Sequence, residues 1–176
     1  MRSKKIPFIE NSETNLTNGI FSYIQEQSLV KDLDSEGIVS FTTNRKTAQY
    51  TVPLYLIDKT NSYWASDSYL DSYLLIDFKN NKVSISDYII ADCGPDYPRE
   101  WKILGSNDKI IWTQISHETT NYPSTYNGIL CLRFRSESQE KFRYIKLIQL
   151  KAVHMELILL YTKLNYMVLY ILAQTY

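Results

Sequence analysis

Residues 101–112 read Trp101-Lys102-Ile103-Leu104-Gly105-Ser106-Asn107-Asp108-Lys109-Ile110-Ile111-Trp112, two indoles either side of a Gly-Ser-Asn-Asp bend. Glycine opens φ values closed to other residues, while Ser, Asn and Asp side chains bond to nearby backbone and interrupt an extended ladder. Ile103, Leu104, Ile110 and Ile111 lie on the two sides of this bend. The pattern predicts neighbouring antiparallel strands over 101–104 and 110–115, each anchored in a core by a large ring.

Working outward, the chain has 176 residues, which fits one domain with extensions. Nineteen basic residues balance nineteen acidic ones, so no long-range field favours nucleic acid or an anionic membrane. Fifteen tyrosines and only five glycines favour packed β-structure over disorder. The two cysteines, Cys93 and Cys131, are far apart in sequence, which argues against a zinc knuckle or a disulfide framework. The basic start, Met1-Arg2-Ser3-Lys4-Lys5-Ile6-Pro7-Phe8, is followed by no apolar run. A cytoplasmic, reducing setting is therefore expected. Asn15-Leu16-Thr17 matches a glycosylation sequon, which such a setting leaves unused.

Residues 1–15 are polar and expected to be loose. In 16–35, Ile20, Phe21 and Ile24 recur at helical spacing, with Thr17 or Asn18 as the N-cap. From Glu36 the period drops to two, giving strands near 38–42, 50–52 and 54–57. Residues 58–72 read as a long loop containing Trp64. Leu74, Ile76 and Phe78 then share one face, and 79–82 turn the chain back into 83–86. The alternation slips over 87–90, which predicts a bulge or a strand buried on both faces. Loops are expected at 92–100 and 116–127. Leu130, Leu132 and Phe134 alternate again, as do Ile145 and Leu147. Asp32, Asp34 and Glu36 read as a solvated linker. About eight short strands with little helix make an all-β antiparallel sandwich of jelly-roll type.

Several of these pieces carry a resemblance. Trp101-x-(apolar)-x-Gly105-Ser106-Asn107-Asp108-x-x-x-Trp112 resembles the signature of the discoidin domain, also called the coagulation factor 5/8 type C domain. Tyr63-Trp64-Ala65-Ser66-Asp67, Leu75-Ile76-Asp77-Phe78 and Phe142-Arg143-Tyr144-Ile145-Lys146-Leu147 follow the family's order. The lead-in Asn18-Gly19-Ile20-Phe21-Ser22-Tyr23-Ile24 is similar to that of multi-copy discoidin proteins of some protists, in which a BTB domain often precedes it. The resemblance spans 36–150 and implies a galactose-binding-like sandwich, a fold that hosts many ligands. Secreted members close their ends with a disulfide; here no cysteine lies near either end of that span.

The segment after Leu150 departs from the family, which would close with a strand ending Ile-Glu-(Phe/Leu)-Tyr-Gly. It holds the apolar run Met155-Glu156-Leu157-Ile158-Leu159-Leu160-Tyr161 and continues through Lys163 and Asn165 to Tyr170. Three readings of 151–176 compete. A membrane anchor is interrupted by Glu156, Lys163 and Asn165, and a central Lys costs roughly 3 kcal/mol. An apolar strand or helix could complete the core. A reading-frame shift is favoured: taking the third base of each codon with the next two makes Ile-Glu-Leu-Tyr-Gly available from the codons of 163–168. A closing strand supplies roughly 5–8 kcal/mol through about three inward apolar side chains.

For chemistry, an enzyme is poorly supported. His117 and His154 belong to no nucleophile or metal-hydrolase motif. Cys131 alternates with core residues as an inert thiol, and Cys93 has no neighbouring base. The resemblance implies instead a binding module for a glycan or a protein, in carbohydrate recognition or cell adhesion, that uses loops at one rim. An aromatic ring covers the apolar face of a sugar, and polar groups select its hydroxyls. On that basis the ligand-binding candidates are Asp96, Tyr97 and Arg99 in 92–100, with His117, Tyr122 and Tyr126 in 116–127. Trp64, Trp101 and Trp112 match internal family positions. Some members hold a structural calcium near the position of Asp58 and Asn61, whose oxygens suit that ion. No other cofactor is implied. The alternative is an incomplete or frame-shifted remnant acting as a protein-interaction fragment; oligomeric state is not legible.

Overall fold

Alternating apolar and polar side chains dictate strands that bury one face. The computed structural model describes residues 4–5, 19–44, 64–66, 71–92, 98–120, 130–136, 138–152 and 165–175. In chain order the elements are β1 (Lys4–Lys5), α1 (Ile20–Ser28), β2 (Ser40–Thr43), β3 (Trp64–Ser66), β4 (Tyr73–Asp77) and β5 (Val83–Asp92). Then come β6 (Pro98–Ser106), β7 (Thr113–Thr119), β8 (Leu130–Arg135), β9 (Tyr144–Ala152) and β10 (Asn165–Thr175). Sheet one runs β1-β10-β5-β8, with β3 also on β10; sheet two runs β2-β4-β9-β6-β7. Every pairing is antiparallel.

The core lies between the sheets. Sheet two contributes Leu74, Ile76, Trp101, Ile103, Ile145 and Leu147, and sheet one contributes Val83, Ile85 and Tyr88. Phe134 joins them, its ring stacked on Tyr88 at 5.2 Å and edge-on to Trp101 at 5.0 Å. Where β6 passes Phe142, glycine is needed at 105 because an added Cβ would overlap the edge of the Phe142 ring.

Helix α1 belongs to this core rather than to a separate lead-in. Ile20, Phe21 and Leu33 are buried, and the Phe21 ring lies 5.4 Å from Phe41 and 6.0 Å from Phe78. Its N-cap is Gly19, with no side-chain cap, in place of the expected Thr17 or Asn18. The acidic segment after it is folded: Asp32 Oδ1 accepts the Asp34 and Ser35 N–H groups, and Leu33 O accepts those of Ile38 and Val39.

Four expectations need correction. The strand expected at 110–115 begins only at Thr113, and Ile110 and Ile111 are 82% and 73% exposed. Side-chain bonding lengthens the turn: Asp108 Oδ1 accepts the N–H groups of Ile110 and Ile111, and Ser106 Oγ those of Asp108 and Lys109. Trp112 consequently stays half-buried, its Nε1–H on Lys109 O, instead of entering the core. The 58–72 loop is interrupted by β3, because Trp64–Ser66 pairs with β10. The slip in β5 is a bulge at Ser86, one residue before 87–90: Leu172 faces Asp87 and Ala173 faces Ile85. Ser136 N–H satisfies the Ser86 carbonyl at 2.8 Å.

The fourth concerns 151–176. Lys151 and Ala152 continue β9, and Asn165–Thr175 forms β10, which lies between β5 and β1 and also pairs with β3. In the frame as translated an apolar strand therefore pairs with β5, as the second of the three readings has it. No described helix is long and apolar enough to cross a membrane.

At the turn after β4, Arg143 grips Asp77 with two bonds, Nε to Oδ1 at 2.8 Å and Nη2 to Oδ2 at 3.1 Å, and Lys79 N–H adds a third. Burial alone would raise the Asp77 carboxyl; the Arg143 and Lys79 hydrogen bonds and charges outweigh it and hold it below its ordinary value. The stability gained is present above about pH 4 and lost as pH falls through the lowered value. Asp108, lowered mainly by the N–H groups of Ile111 and Ile110, acts in the same sense. The urea midpoint is expected to fall as pH drops below about 4, and Asp77→Asn to remove part of that fall. An unchanged acid limb in Asp77→Asn would contradict the assignment.

Candidate functional site

Three connections cross between the sheets at one end of the sandwich. Segment 93–97 leads from β5 to β6, segment 121–129 from β7 to β8, and segment 153–164 from β9 to β10. The residues that flank them are tied together. Asp92 pairs with Leu130 in sheet one, Pro98 with Ala152 in sheet two, and Thr120 N–H donates to Arg99 O at 2.8 Å. Asp96, Tyr97, Tyr122 and Tyr126 lie in these segments, outside the described residues.

Two predicted site residues are described, and both stand on strands rather than loops. Arg99 is the extra residue of a bulge in β6, since Pro98 faces Ala152 and Glu100 faces Lys151. His117 belongs to β7, opposite Lys102, on the outer face of sheet two. Its Nε2 lies 2.8 Å from Glu100 Oε1, a diagonal cross-strand pair. The structure thus brings Arg99 and His117 to the same rim, with His117 directed away from the space between the sheets.

Inside that rim runs a chain of polar groups. Trp101 Nε1–H donates to Tyr88 OH at 3.1 Å, Tyr88 OH lies 2.8 Å from Ser116 Oγ, and Ser116 Oγ–H donates to Glu118 Oε1 at 2.6 Å. An indole nitrogen only donates and a carboxylate only accepts, so the one consistent direction runs from Trp101 outward to Glu118. Burial pushes the Tyr88 phenol up to about 12, and the Glu118 charge adds to this, against the opposing Ser116 and Trp101 hydrogen bonds. Tyr88 is therefore a neutral donor at every physiological pH.

Sequence reasoning passed over Glu118. Counting alternately from Ile115 puts His117 inward and Glu118 outward. A bulge reverses this: Ile103 faces Ser116 while Leu104 faces Gln114, leaving Ile115 as the extra residue. Beyond it Ser116 and Glu118 share the inner face with Trp101, Glu118's direct cross-strand neighbour.

Asp58 and Asn61, the calcium candidates, fall outside the described residues. Among the described residues no group of three or more His, Cys, Asp or Glu could hold a metal ion.

No protein-family model matches the chain, and no curated protein matches it in sequence. Solved structures do. The C-terminal domain of a chitobiase from Bacteroides fragilis superposes with a TM-score of 0.58 at 18% identity, covering 81% of this chain and 97% of that one. A family 32 carbohydrate-binding module from Clostridium perfringens NanJ, in complex with galactose, gives 0.53 at 13%, covering 80% and 94%. Chitosan-binding module 2 from a Paenibacillus chitosanase/glucanase, in complex with chitotriose, gives 0.51 at 14%, covering 79% and 96%. Likeness at this identity speaks to architecture: the chain has the galactose-binding-like β-sandwich fold.

Proposed function

We propose that this chain is a non-catalytic recognition module that binds a glycan at the rim where segments 93–97 and 121–129 leave the sheets. The observation that carries the reading is the shared anchoring of those segments. The Asp92–Leu130 pair fixes them on sheet one, and the Arg99–Thr120 bond fixes them on sheet two. Asp96, Tyr97, Tyr122 and Tyr126 therefore belong to connections that start and finish together, beside Arg99 and the Glu100–His117 pair. Tyrosine rings suit the C–H face of a pyranose, and carboxylate, guanidinium and imidazole groups suit its hydroxyls. The galactose and chitotriose complexes of structures with this fold support a sugar as the ligand. The described histidine, paired with Glu100 on the outer face of sheet two, is not set against a nucleophile in that arrangement.

Screening the full chain on a glycan array, then titrating the best sugar, tests the reading. Tyr97→Ala or Tyr122→Ala is expected to weaken binding about tenfold, equivalent to about 1.4 kcal/mol, at unchanged melting temperature. Absence of any bound glycan, or affinity untouched by both substitutions, would overturn it.

A further inference from the structure

We infer that Glu118 is the carboxylate that selects a sugar hydroxyl at this rim, aimed by the buried Trp101–Tyr88–Ser116 relay; the inference rests on the glycan reading above. A carboxylate on the inner face of a sandwich is costly to desolvate and needs hydrogen bonds in compensation. Glu118 receives one at Oε1 from Ser116, and it remains half-buried rather than sealed. It sits beside Trp101, three residues before segment 121–129 begins.

The relay's direction bears on ligand choice. Three donors in succession, an indole, a phenol and a hydroxyl, end on one carboxylate oxygen. Tyr88, Trp101 and Ser116 are 0%, 1% and 7% exposed, so each link is held by packing as well as by its bonds. A free glutamate has three rotatable bonds to freeze when it grips a ligand, which weakens binding. Here the core has already ordered the side chain, so a bond from a sugar O–H to the carboxylate is formed with little further ordering. Such a charge-assisted bond is stronger than a neutral one, and it discriminates against a sugar that lacks the hydroxyl. In this scheme Glu118 touches the ligand, while Tyr88 and Ser116 are positioning residues.

Calorimetric titration of the full chain with galactose and with chitotriose tests this. Glu118→Gln is expected to weaken binding of the recognised sugar about tenfold or more. Ser116→Ala and Tyr88→Phe are expected to weaken it several-fold, and neither should add to the loss once Glu118→Gln is present. That non-additivity would not arise from a merely structural role. Glu118→Gln that folds and binds like the wild type overturns the inference and leaves the glycan reading standing. If Glu118→Gln fails to fold, Ser116→Ala decides: undiminished affinity overturns the inference. A wild-type chain that binds neither sugar nor any glycan on the array removes both.

Discussion

Ending the chain after residue 164 is expected to abolish cooperative folding rather than to trim an appendage. Strand β10 occupies the middle of sheet one: it pairs with β5 from Val168 to Thr175 and with β3 from Asn165 to Met167, and it meets β1 at Gln174 and Thr175. Removing it leaves the β5 ladder open along most of its length and separates β3 from the sheet. Met167-Val168-Leu169-Tyr170-Ile171-Leu172 is an apolar run, and strand geometry places about half of it on each face. Burying three large apolar side chains of a strand contributes roughly 5–8 kcal/mol in general. A domain of this kind is stable by about 5–15 kcal/mol in all. The truncated chain should therefore lack a cooperative thermal transition, and its newly open edge should drive self-association. Size-exclusion chromatography and circular dichroism against temperature check this. A monomeric truncation that melts near the full-length temperature would show that β10 is dispensable.

The second large effect separates the two indoles. Trp101→Ala is expected to cost about 3–5 kcal/mol, as deletion of a fully buried aromatic ring does. Besides the cavity, Phe134 loses its edge-on partner and Tyr88 OH loses the indole donor that completes the relay. Trp112→Ala should cost only about 1 kcal/mol, since that ring is half-buried and its cation–π contact with Lys146, at 5.1 Å, lies near the surface. Urea unfolding of the two variants measures the gap. Equal losses would mean that the indoles share one environment, as the sequence reading had them.

Much of the sandwich was legible because burial on one face writes a period of two into the chain. Leu74, Ile76 and Phe78, and again Ile145 and Leu147, were read as facing inward and are all buried. The Gly-Ser-Asn-Asp bend was placed correctly, because turn chemistry is local. Its length was misjudged: Asp108 and Ser106 bond onward to Lys109, Ile110 and Ile111 and carry the turn past two isoleucines that composition alone makes strand-like. Of the proposed site residues, Arg99 and His117 were assigned to loops and stand on β6 and β7.

The sequence by itself determined which residues pack and roughly where the strands turn, since both follow from hydrophobic pattern and side-chain chemistry within a few positions. Only the tertiary structure decided the direction of the polar groups near the rim. A single extra residue at Ile115 reverses every later side chain of β7, and nothing in the local sequence marks it. That reversal sends His117 to the outer face and Glu118 to the inner one, where it accepts from Ser116, itself bonded to Tyr88 and through it to Trp101 from two other strands. The place of β10 in the middle of sheet one is likewise a tertiary fact: an apolar strand can pair with any open edge, and the β5 ladder, distant in sequence, selects it.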